Sequence, residues 1–262
     1  MKVLGWIGLG VVALVGLWWW SFPSATVRYR LTYEVEVDGK VHSSSSVVQA
    51  GMYDGFMCGG MGSGGHPCWS FTGEAVAVDL GARGVLFSLL AGPSKPRGTP
   101  PPTQRMWLPA SAHVQFLPVY VMLRAGLFPT DSPRKDNRIG HWLFAEKLRT
   151  TVDLVPYEIP ELVRFRDLTD PTTAEIVDPG DLAASFGSGV RLVRATITYV
   201  SAGTWPLTIF GLGGEPITRG IEGRMGWIGN YQLETIFERR LRELGTGGVG
   251  SLAPGMKLKR DQ

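Results

Sequence analysis

The sequence predicts an α+β fold, mostly antiparallel β-sheet with a C-terminal amphipathic helix, preceded by one transmembrane helix. Three observations carry that reading. Residues 3–22 (VLGWIGLGVVALVGLWWWSF) contain no ionisable side chain, and at 1.5 Å of rise per residue such a run spans about 30 Å, the hydrocarbon thickness of a bilayer. The chain then turns polar and punctuated: its 35 glycines and 18 prolines, about a fifth of the whole, favour turns and short strands over long helices. One segment near the end, residues 230–245, has helical spacing and both end signals.

The apolar leader begins with the positive end formed by the amine and Lys2, a start shared by retained anchors and cleaved secretory signals. Retention is the better reading, because cutting after Ala25 would place Pro23 at the third-last position, behind three bulky indoles. Trp18, Trp19 and Trp20 suit the headgroup zone, where the ring is buried and its N–H stays wet. They are the expected membrane anchor, with lipid as its partner. No cysteine follows closely enough to carry a lipid. The expected division is an anchor over residues 1–25, a β-rich domain over 26–244 and a loose tail over 245–262.

Positive charges flank the leader on both sides, Lys2 before it and Arg28, Arg30 and Lys40 after it, so charge alone leaves topology open. The cysteines favour an oxidising side. There are two, Cys58 and Cys68, close enough in a glycine-rich loop to form a disulfide. The domain is therefore expected outside the cytoplasm, periplasmic or extracellular.

From Thr26 the chain alternates, with Val27, Tyr29, Leu31, Tyr33, Val35 and Val37 on one face and Arg28, Arg30, Thr32, Glu34 and Glu36 on the other. That is a half-buried strand. Asp38-Gly39 is the pair a tight primed turn needs, and residues 41–48 return as its partner. Residues 43–46, four serines, read as the wet face of that strand. Residues 74–80 and 85–90 form a second hairpin around Gly81-Ala82-Arg83-Gly84.

Prolines break residues 92–102 into a loop. The apolar stretch 106–128 is interrupted by Pro109, Pro118 and Gly126, which makes it buried strands or a short helix rather than a second span. Residues 142–152 read as strand, as do 162–165 and 191–200. Asp178 before Pro179 reads as the N-cap of a short helix that continues through Phe186 to Gly187. The last helix is capped by Asn230, carries Leu233, Ile236, Phe237, Leu241 and Leu244 on one side, and stops at Gly245. Glu238 and Arg242 should pair along it. Its polar face mixes both signs, so it is expected to pack on a sheet.

Composition excludes one class of function. Against 23 acidic residues stand 26 basic ones, Lys2 among them, so no single-sign field gathers nucleic acid. Lys257, Lys259 and Arg260 form a basic cluster at the terminus, read as solvated.

The loop 51–70 is the most peculiar segment: GMYDGFMCGGMGSGGHPCWS holds both cysteines, Asp54, His66 and Trp69. A Cys58–Cys68 disulfide would stabilise by about 3 kcal/mol through chain entropy. Zinc on Cys58, His66 and Cys68 with Asp54 lacks the two close ligand pairs of a structural site. Residues 60–65 satisfy GxGxxG formally, yet no strand-loop-helix unit surrounds them. Ser63-Gly64-Gly65 has a nucleophile's neighbours but no distant base and carboxylate to form a triad, with His42 alone upstream. No metal, cofactor or catalytic residue is assigned. Arg219, Glu222 and Arg224 within residues 215–227 could make a polar site.

Several phrases resemble an uncharacterised family of membrane-anchored bacterial envelope proteins: Arg30-Leu31-Thr32 through the Asp38-Gly39 turn, residues 73–80 (GEAVAVDL), Val177-Asp178-Pro179 with residues 181–187 (DLAASFG), and residues 217–222 (ITRGIE). The resemblance implies an envelope location and lends no activity. The expected function is a binding or scaffold role for a membrane-tethered domain, with an envelope protein as partner. The alternative is an anchored hydrolase, which convergence of His66, His113, His141, Asp54 and Glu222 in one cleft would favour.

Overall fold

The structure is a computed structural model that describes residues 10, 24–53, 68–94, 97, 114–132, 138–203, 213–228, 230–245 and 252. Among the described residues nine strands form two antiparallel sheets. β1 (Ser24–Val37) and β2 (Lys40–Tyr53) make a fourteen-residue hairpin paired in full. Asp38 (φ 50°) and Gly39 (φ 84°) turn it, the left-handed pair that a two-residue loop requires. β9 (Val190–Val200) lies on the far side of β1, with a bulge that inserts Val193 opposite Glu34 and Val35. β3 (Cys68–Thr72) and β6 (Thr151–Asp153) complete a sheet of order β3-β2-β1-β9-β6.

The second sheet has order β4-β5-β7-β8, from β4 (Val76–Asp79), β5 (Val85–Ser88), β7 (Leu162–Phe165) and β8 (Ala174–Val177). Both expected hairpins are present. The alternation in β1 is complete, with Val27, Tyr29, Leu31, Tyr33 and Val35 all buried. Val76, Val78, Leu86, Leu162 and Val177 of the smaller sheet join them in one core. The larger sheet's inner face is thus shared between that sheet and two helices, α1 (Leu117–Arg124) and α2 (Arg138–Ala145).

Three tyrosines tie these layers together. The Tyr29 hydroxyl donates to the Val114 carbonyl at 2.8 Å, the Tyr199 hydroxyl donates to the Pro118 carbonyl, and the Ser88 hydroxyl donates to the Tyr33 oxygen at 2.8 Å. Burial pushes all three phenols above their ordinary range.

A second core lies on the other face of the smaller sheet. There Phe87, Val163, Phe165 and Ala174 meet Ile221, Met225, Trp227, and Phe237 and Leu241 of α4 (Tyr231–Glu243). The C-terminal helix packs on a sheet as its mixed polar face implied. Asn230 caps it by accepting from the N–H groups of Gln232 and Leu233, and Gly245 ends it at φ 82°. Leu252, within the stretch expected to be loose, is buried in this core and accepts from the Ala75 N–H at 2.7 Å.

Three local expectations need correction and one open alternative is decided. Residues 142–152 are not a strand: Ile139, Trp142 and Ala145 are buried along one side of α2, and strand begins only at Thr151. Of the two readings for 106–128, helix holds over Leu117–Arg124, where Pro118 sits in the first turn and its missing N–H costs nothing. The short helix α3 (Leu182–Phe186) is capped by Asp181, which accepts from the Ala184 N–H, while Asp178 instead holds the Gly180 N–H in a turn. Glu238 and Arg242 do not pair, and Arg240 meets Glu243 at 3.4 Å.

Candidate functional site

Where the two sheets come together at one corner, an open groove of about 280 Å³ is lined by Ser44, Ser45, Glu74, Ala75 and Ala77 on one side and by Thr218, Arg219, Gly220, Ile221 and Arg224 on the other. Its walls are set by hydrogen bonds. On one side Ser46 donates its hydroxyl to the Glu74 carbonyl at 2.6 Å, and the His42 ring Nδ1 lies 2.9 Å from the Asp79 carbonyl oxygen. β4 therefore runs along the inner side chains of β2, with Ser44 between the two contacts.

The opposite wall is a loop pinned at three points. Arg30 and Glu215 form an ion pair, and Arg28 donates to the Glu215 carbonyl. Burial holds the Arg28 guanidinium below its ordinary value, with Glu215 pulling the other way. Next, the Thr218 N–H donates to the Val47 carbonyl at 3.0 Å while the Val47 N–H donates to the Thr218 hydroxyl at 2.8 Å. Finally, the two carboxylate oxygens of buried Glu74 accept from the N–H groups of Gly220 and Ile221, each at 2.9 Å. Those two donors open the 3-10 turn Ile221–Gly223, whose Ile221 descends into the second core.

Glu74 is thus spent on the fold, and the groove's free chemistry is cationic. Arg219 and Arg224 line it, are exposed, and have no acidic partner among the described residues. Several other arginines are paired. Arg97 pairs with the fully buried Glu161, Arg124 with Glu158 at 2.7 Å, Arg191 with Glu36 at 2.6 Å and Arg194 with Asp153 at 2.6 Å. Glu36 on the polar face of β1 thus pairs across the sheet with a cation supplied by β9. Burial pushes the Glu158 carboxyl up, against the pull of Arg124.

The residues singled out from sequence fall unevenly. Arg219 and Arg224 come together on the groove, as the polar-site reading of 215–227 proposed. Ser44 and Ser45, read as a wet strand face, line the same groove. Trp18, Trp19, Trp20, Cys58, Asp54, His66 and His113 lie outside the described residues, so the anchor and disulfide readings do too. The Cys68 backbone pairs with Tyr53 at the start of β3, its thiol being outside the description. The Glu222 side chain is likewise not described. The His141 ring packs edge-on against Phe128, centroids 4.7 Å apart.

Among the described residues no helix is long and apolar enough to cross a membrane, and no group of His, Cys, Asp or Glu is arranged to hold a metal ion. No protein-family model, curated protein or solved structure matches the chain.

Proposed function

We propose that this protein is a membrane-tethered binding domain whose ligand site is the groove between β2, β4 and residues 218–224, and that the ligand is anionic where it meets the groove. One observation carries this reading: Arg219 and Arg224 face an open groove and have no acidic partner among the described residues, on a loop fixed at Glu215, Thr218 and Gly220. Two guanidiniums held on a pinned loop attract carboxylate or phosphate without a large ordering cost. The groove is slightly smaller than the ~300–1,000 Å³ of enclosed small-molecule pockets, which suits contact with part of a larger partner. An envelope partner and the tether by residues 3–22 follow from the sequence reading.

The test uses the full chain in detergent micelles with fluorescent polyglutamate and polylysine. Polyglutamate should bind and lose at least ten-fold in affinity in the Arg219→Ser/Arg224→Ser variant. Equal binding of the two polymers, or no effect of the double substitution, refutes the site. Carbonate extraction of membranes tests the tether, which fails if the intact chain is released.

A further inference from the structure

Taking the groove as an anion-binding site, we infer that its occupant is an extended acidic peptide segment that adds to the open edge of β2 at Ser43 and Ser45 and sets its carboxylates against Arg219 and Arg224. The inference rests on the proposed function above and deepens it. In an antiparallel ladder, alternate residues turn both N–H and C=O away from a given neighbour. Val47 turns them away from β1, since its N–H and C=O both bond to Thr218. By the same alternation Ser45 and Ser43, two and four residues earlier, present theirs to the same open edge.

That edge is covered in sequence. β3 pairs with β2 over residues 49–53, Thr218 covers Val47, and among the described residues the cover ends there. Among the described residues nothing bonds to the outward backbone groups of Ser43 and Ser45. Across the groove, Ala77 turns its own N–H and C=O out of the smaller sheet, because Val78 and Leu80 are the neighbours that face β5 and its turn. Ala75 and Ala77 also keep that wall low.

An uncovered strand edge is a template for another strand, and natural proteins usually block it with lysine, proline or a covering segment. Here the outward side chains beside it are serines, and Val41, 51% exposed, continues the edge with an apolar surface that a partner strand would cover. Backbone pairing supplies affinity in such additions and flanking charge supplies selection. Arg219 and Arg224, which have no acidic partner among the described residues, select acidic side chains.

The experiment uses full-length protein in micelles and the labelled hexapeptide acetyl-(Thr-Glu)3-amide, with its Thr-Lys counterpart and a version N-methylated at every residue. The acidic peptide should bind, the basic one should not, and N-methylation should cost at least ten-fold. Ser45→Pro, which removes an outward N–H at a position where a strand edge tolerates proline, should also cost at least ten-fold. Its urea midpoint reports whether it folds. Independently of any variant, bound peptide should slow amide exchange at Ser43 and Ser45 in the native chain.

If the N-methylated peptide and the Ser45→Pro variant bind as well as their parents while Arg219→Ser/Arg224→Ser abolishes binding, strand addition is overturned and the anion site stands. If neither proline nor serine substitution matters, both readings fall. Arginine-dependent binding of short-chain phosphatidylglycerol with no peptide binding would give the groove to a lipid headgroup and overturn the inference as well.

Discussion

Glu74→Ala removes the acceptor of two backbone donors, the N–H groups of Gly220 and Ile221, each 2.9 Å from a carboxylate oxygen. The carboxylate is buried, and so is Ile221, whose side chain sits in the second core. Hydrogen bonds to a charged group contribute about 1.5–3 kcal/mol each, and a buried donor left without a partner costs about 1–3 kcal/mol. Gly220 is exposed and can turn to water, so its bond counts near the lower end. The expected loss of stability is about 2–4 kcal/mol, a sizeable part of the roughly 5–15 kcal/mol of an ordinary domain.

Glu74→Gln keeps one carbonyl acceptor but aims an amide N–H₂ at the other donor, and should lose about half as much. The assay is urea unfolding of the full chain in detergent, read as a change in midpoint at constant slope, with amide exchange at Gly220 and Ile221 followed in parallel. A midpoint shift worth less than about 0.5 kcal/mol, with unchanged exchange at both amides, would refute the assignment of Glu74 as the clamp on this loop. Binding at the groove should weaken with the loop, since Arg219 and Arg224 flank the clamped residues.

Gly73 has φ 145°, and a Cβ added there would lie 2.9 Å from the Val48 Cα; Gly73→Ala should destabilise by about 3 kcal/mol or more, read by denaturation. Glu158→Ala leaves the Arg124 guanidinium without its carboxylate and frees the Val155 N–H, a loss of about 2–3 kcal/mol by the same measurement, because Arg124 is part-exposed and keeps the Asp153 carbonyl. Tyr29, Tyr33 and Tyr199 are acids whose folded-state pKa lies above the unfolded value near 10, so their stabilisation is complete below pH 10 and is lost as pH rises beyond it. At pH 11 the three together should cost about 4 kcal/mol, and absorbance at 295 nm should show them ionising only as the chain unfolds.

The sequence was most legible where a single local rule governs a whole element. Strict alternation from Val27 to Val37 and the Asp38-Gly39 pair specify the first hairpin, and Asn230 with Gly245 bracket the last helix. Its core-facing side, Phe237 and Leu241, was equally plain. Elements whose state depends on what they touch were harder. Residues 138–145 include Gly140, Trp142 and Phe144, poor helix formers, and burial of Ile139, Trp142 and Ala145 against β1 overrides that preference.

β3 was hidden in the glycine-rich loop even though Trp69 and Phe71 alternate with Ser70 and Thr72. β8 is four residues long, too short for a period to show. The groove was legible by halves. Arg219 and Arg224 stood out as a charged cluster, while the four serines read only as the wet face of a strand. No local signal says that β4 brings Glu74 beneath Gly220, because that juxtaposition depends on how two separate sheets meet.

The full pairing of β1 with β2 also fixes a reach. Ser45 stands opposite Thr32, eight residues along the strand from Ser24, or about 27 Å at 3.3–3.4 Å per residue. On the proposed tethering, the docking edge is carried at most that height above the bilayer by the stiff larger sheet. A partner rooted in the same membrane would need a stalk of about eight extended residues to climb to it, so trimming that stalk should uncouple the two without altering a single contact surface.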